Sequence, residues 1–154
     1  MAEQSNDAVG DADDTTSVDD VLLDLEKVAI RFAEGIPGFP DAKRFALLTE
    51  VEDAAFHLLQ CLDDANVGLI VTVPWLFFPD YAPVVSALET SLLELENPED
   101  AAVFCPVTLD AEHDLIYVNL LGPFVVNVER RIGRQLVLTE SDYPVRAPVD
   151  LSGL

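Results

Sequence analysis

The sequence predicts a mainly β protein, a small closed or strongly curved antiparallel β-barrel with one short helix. Three observations carry that expectation: short apolar runs near period two recur along the chain, turn-forming residues separate them, and a single segment has helical spacing. With 154 residues, half of them hydrophobic, the chain is long enough for one domain with a real core. At this size, many short strands close most naturally by curling on themselves.

Residues 1–20 are acidic and small, with almost no large apolar side chain, so they are expected to form a disordered acidic tail. The barrel domain is expected over residues 21–147. Its first strand should lie within Val21 to Phe32, where Val21, Leu23, Leu25, Val28, Ile30 and Phe32 stand near period two. Gly35-Ile36-Pro37-Gly38-Phe39-Pro40 follows as a shaped loop, because its prolines lack donors and its glycines allow positive φ. Arg44 to Thr49 and Ala54 to Cys61 are two short strands, and Asp63-Asp64-Ala65-Asn66 turns the second into Val67 to Val73.

Pro74, Pro79 and Pro83 then interrupt the chain, which makes the aromatic stretch between them unfit for a central strand. Ala87 to Glu96 is the helix, with Leu88, Leu92 and Leu95 on one face and Asn97-Pro98 ending it. Two further strand pairs follow: Val103 to Leu109 with Leu115 to Val118, and Phe124 to Val128 with Arg134 to Leu138 across residues 129–133. Residues 148–154 have little to tie them down and are expected to fray.

The formal charge is -21, with 29 acidic against eight basic residues. Nine of those acids lie in residues 1–26, which hold no Lys or Arg, so the remainder still carries -12. Such a body is a poor match for a phosphate backbone and a good one for a basic protein, although acidity also serves solubility. The chain opens on acidic and polar residues where a secretory leader would be basic and then apolar, and no apolar run reaches membrane length. A cytoplasmic protein without membrane contact is expected. Cys61 and Cys105 both sit in apolar runs and read as small buried hydrophobes with reduced thiols.

Groups for catalysis are sparse. The two histidines stand apart, His57 in a strand and His113 in a polar loop, and neither cysteine has zinc-type spacing. Gly35 and Gly38 lead into Phe39-Pro40 instead of a Lys-Ser/Thr pair opening a helix, so no phosphate loop exists there. Neighbouring carboxylates such as Asp63-Asp64 read as turn residues. No enzyme activity, metal or cofactor is expected.

Two groups suit recognition instead. Trp75, Phe77, Phe78 and Tyr81 crowd one proline-broken segment, either as interface anchors or as a plug for one end of the barrel. Arg130, Arg131, Arg134 and Arg146 gather half of the basic residues near the C-terminus, either to grip an acidic patch on a partner or to balance nearby acids.

A series of short segments in order carries a family resemblance: Phe32 to Pro40; Phe56 with Leu59-Gln60; Val67 to Pro74 followed by Tyr81; Val107-Thr108; Asn119-Leu120-Leu121 with Pro123 to Asn127; and Gly133-Arg134-Gln135 with Leu138, Tyr143 and Arg146. Together they resemble the flagellar assembly factor FliW over about Val28 to Arg146. The resemblance implies a small β-barrel that switches partners, binding newly made flagellin and, when freed by flagellin export, binding and antagonising CsrA, a basic RNA-binding repressor of flagellin translation. Asn119, framing the Asn119 to Asn127 stretch, joins the aromatic group and Arg130, Arg134 and Arg146 as expected partner-contact residues. The chain departs from the family in Gly122, where alanine is common, and in its acidic tail. Charge alone also permits a nucleic-acid-mimicking decoy that sequesters a basic DNA- or RNA-binding protein, and the aromatic cluster would permit a small-ligand barrel.

Overall fold

The computed structural model describes residues 28–49 and 54–152. The expected acidic tail and the strand residues Val21 to Lys27 lie outside these. Nine strands are described: β1 Ile30–Arg31, β2 Arg44–Leu48, β3 Phe56–Cys61, β4 Gly68–Thr72, β5 Ala101–Asp110, β6 Leu115–Val118, β7 Phe124–Asn127, β8 Ile132–Gln135 and β9 Ala147–Asp150. One short α-helix, α1 (Ala87–Leu92), lies between β4 and β5.

Seven strands close a ring. Their order is β5-β4-β3-β2-β1-β8-β7, and β7 returns to the first half of β5 through Ala101↔Asn127 to Phe104↔Phe124. The second half of β5 leaves the ring and pairs with β6 from Val107↔Val118 to Asp110↔Leu115. Pro106 sits between the two halves. The mainly β, ring-closed architecture, with one short α-helix among the described residues, is as expected. One seam differs from a purely antiparallel barrel, because β1 and β8 run parallel at Arg31↔Ile132.

Two apolar clusters share the walls. Ile30, Phe32, Phe45, Leu59, Val71, Phe124 and Val126 fill the first, where Phe32 meets Phe45 and Phe124 edge-on at 5.2 and 5.8 Å. Gly133 allows this packing, since a Cβ there would stand 2.7 Å from Phe32 Cζ. Leu93, Leu95, Cys105, Ile116, Val118, Val125, Leu136 and Tyr81 form the second cluster. Period two along β7 puts Phe124 and Val126 into one cluster and Val125 into the other, and all four of its residues are buried.

The Gly35 to Pro40 loop lids the first cluster with buried Ile36, held by paired Ile36 and Phe39 backbone bonds of 3.2 and 2.8 Å. Gly35 has φ of +67°, and a Cβ there would meet Pro40 O at 2.5 Å.

Three expectations need correction. Residues 148–154 were expected to fray, yet Ala147–Asp150 pair with β6 from Ala147↔Val118 to Asp150↔Leu115. Pro148 is tolerated because β9 is an edge strand. The helix spans six residues instead of reaching Glu96, because Glu94 adopts φ of 55° and turns the chain. Ile132 and Gly133 were assigned to a turn but belong to β8; the turn closes earlier, with Arg131 at φ of 55°.

Candidate partner-binding surface

The aromatic segment is mostly built inward. Tyr81 is 5% exposed, its hydroxyl donates to Leu120 O at 2.7 Å, and its ring meets Tyr143 edge-on at 4.7 Å. Burial raises its phenol pKa. Beneath it, burial pushes the Cys105 thiol up to about 12, against a weak hydrogen bond to the Tyr81 hydroxyl. Phe77 stacks on Phe56 at 6.0 Å, and both Phe77 and Phe78 pack on the second cluster. Trp75 is the outward member, 39% exposed, with its indole N–H donating to Tyr81 O at 2.7 Å. Leu76 beside it is exposed as well.

The C-terminal arginines divide between two roles. Arg134 is largely buried and reaches Glu89 on α1 at 2.5 Å and Glu34 of the glycine loop at 3.4 Å. Its pKa is raised, chiefly by the Glu89 hydrogen bond. Arg130 bonds Glu94 at 3.2 Å, and Asn127 Nδ2 donates to Leu93 O and Glu94 O at 2.9 and 3.1 Å. Three polar side chains from β7, β8 and their connection thus tie the helix and its end to the ring. Arg146 lies elsewhere, over the Tyr117 ring at 4.1 Å. Asn119 Oδ1 accepts from Gly122 N at 2.8 Å and so braces its own turn. A Cβ at Gly122 would stand 3.0 Å from Asn119 Nδ2, a mobile amide end.

These polar ties leave the apolar face of α1 without cover. Its N-cap Ser86 accepts from Glu89 N at 3.1 Å, and the buried anchors Leu93 and Leu95 follow the helix instead of lying within it. Leu88 is 68% exposed and Leu92 45%, whereas Leu95, which their spacing placed on the same face, is buried. Val84 and Val137 are exposed too, and both line a cleft of about 500 Å³ with Glu89, Leu136, Leu138, Glu140 and Tyr143. The Tyr143 hydroxyl oxygen accepts from Ala82 N at 2.9 Å, which places the Trp75–Tyr81–Tyr143 aromatic series behind this cleft. Of the residues singled out in the sequence, Tyr81 meets this cleft through Tyr143 and Arg134 through Glu89. The exposed Val84 and Val137 that line it were not among them.

A family model described as FliW protein matches residues 13–149. The chain belongs to the FliW family. A flagellar assembly factor FliW of Clostridium beijerinckii is 40% identical over 124 residues, covering 80% of this chain and 88% of that protein. The FliW of Clostridium kluyveri is 36% identical over the same length. A crystal structure of the flagellar assembly factor FliW superimposes with a TM-score of 0.74 at 31% identity, covering 79% of this chain and 85% of that one. Among the described residues no helix is long and apolar enough to cross a membrane.

Proposed function

We propose that this FliW-family chain acts in flagellar assembly in the cytoplasm, binding flagellin and, when freed, binding and antagonising CsrA, without catalysis. The contact face in this reading is α1 with the adjoining cleft, flanked by Trp75. The exposure of Leu88 and Leu92 on a helix held by polar ties carries the proposal. A helix whose apolar side faces water at no structural gain is a surface kept for a protein partner. Trp75 and Leu76 extend it, whereas Phe77, Phe78, Tyr81 and Asn119 act by shaping it and Arg130 and Arg134 by holding α1. Arg146 adds a cation beside Tyr117. The surrounding acids favour a basic partner such as CsrA and speed its capture.

Titration calorimetry with CsrA from the same cell, at physiological salt and with or without flagellin, tests the reading. Selective binding that flagellin abolishes is expected. Burying each leucine contributes about 1–2 kcal/mol, so the Leu88→Glu, Leu92→Glu double variant should lose tenfold or more in affinity for at least one partner. Binding to neither protein overturns it. Binding to basic proteins in general that vanishes at moderate salt would favour the charge-driven decoy instead.

A further inference from the structure

Four of the eight basic residues converge at one rim of an acidic barrel. Arg31 and Arg44 are cross-strand partners, Arg31 N donates to Arg131 O at 2.9 Å, and Phe32 N donates to Lys43 O at 2.7 Å. All four side chains are exposed. Asp63 engages Arg44 at 2.8 Å and accepts from the Lys43 and Arg44 amides. Arg31 and Arg131 form no ion pair with another described residue.

The chain that leads into this rim is its opposite in charge. Residues 1–26 hold nine acids and no base, and they join the described structure at Val28, two residues before β1. We propose that the acidic N-terminal segment docks in cis on the Arg31–Lys43–Arg44–Arg131 rim. A chain tethered beside its site has an effective concentration on the order of millimolar, so weak ion pairs suffice. A random chain of 10–20 residues spans roughly 17–25 Å, enough to cross a small barrel end. The surface as a whole repels the segment, because residues 27–154 carry -12 in total, and the exposed Arg31 and Arg131 are the cations best placed to receive it. Docking keeps acidic ligands of other proteins off the rim.

Paramagnetic relaxation in the full chain tests this. A nitroxide on Ser5→Cys labels selectively, because Cys61 and Cys105 are buried. At about 10 mM salt the amide signals of Arg31, Lys43, Arg44 and Arg131 should lose at least half their intensity relative to those of β6 and β9, and recover at about 500 mM. The Arg31→Glu, Arg131→Glu double variant should abolish the loss at low salt. Rim signals no weaker than those of β6 and β9 at low salt overturn the proposal. So does a loss that survives both salt and the double variant, since proximity along the chain alone would then explain it.

Discussion

Cys105 and Tyr81 show how burial sets the chemistry of single groups. The Cys105 thiol ordinarily ionises near 9.0 and is pushed up to about 12 here, and the Tyr81 phenol is raised as well. Raised acids stabilise the fold fully below their unfolded values and lose that contribution as pH climbs toward the folded ones. Stability should therefore fall from about pH 9 upward, and Cys105→Ala should flatten part of that slope. Urea midpoints at pH 7.5, 9 and 10.5 check it, and an identical slope in the variant would refute the assignment. The cysteine burial was legible in the sequence because both thiols sit in apolar runs. The Tyr81 bond to Leu120 was not, since it joins residues 39 apart through a fold that spacing cannot specify.

At the scale of elements, α1 depends on long-range polar ties more than on its own six residues, too few for an isolated helix. Asn127 carries two carbonyls at the helix end, and Asn127→Ala would leave both without that donor, the Leu93 carbonyl in a buried setting and the Glu94 carbonyl in a half-buried one. A loss of about 1–3 kcal/mol is expected, with faster amide exchange in α1 than in β3. Chemical denaturation and hydrogen exchange measure the two effects, and uniform acceleration would show that Asn127 supports the ring instead. The strand pairs were readable from period-two runs and their turns. The helix's orientation was not, because spacing reveals that Leu88, Leu92 and Leu95 share a face but not whether anything packs on it. The last strand carried an unused signal: Ala147 and Val149 point inward while Pro148 and Asp150 point out, the alternation of a half-buried edge.

For the whole molecule, ring closure concentrates weakness at one place. Among the described residues the β1–β8 seam has one parallel register pair, whereas β3 and β4 share five between Phe56↔Thr72 and Gln60↔Gly68. Amides of Ile30 to Phe32 should exchange at least tenfold faster than those of β3, by native-state hydrogen exchange; equal protection would place the weak point elsewhere. Ring closure was legible from strand number and chain size, but the parallel seam was not, since nothing local in Arg31 or Ile132 marks partners 101 positions apart. β7 has the opposite character. Hydrogen-bonded on both edges and buried on both faces, it serves as a party wall between two rooms. Neither room can empty while the other stays furnished, so the two cores melt as one and no half-folded barrel is left behind for proteases to find.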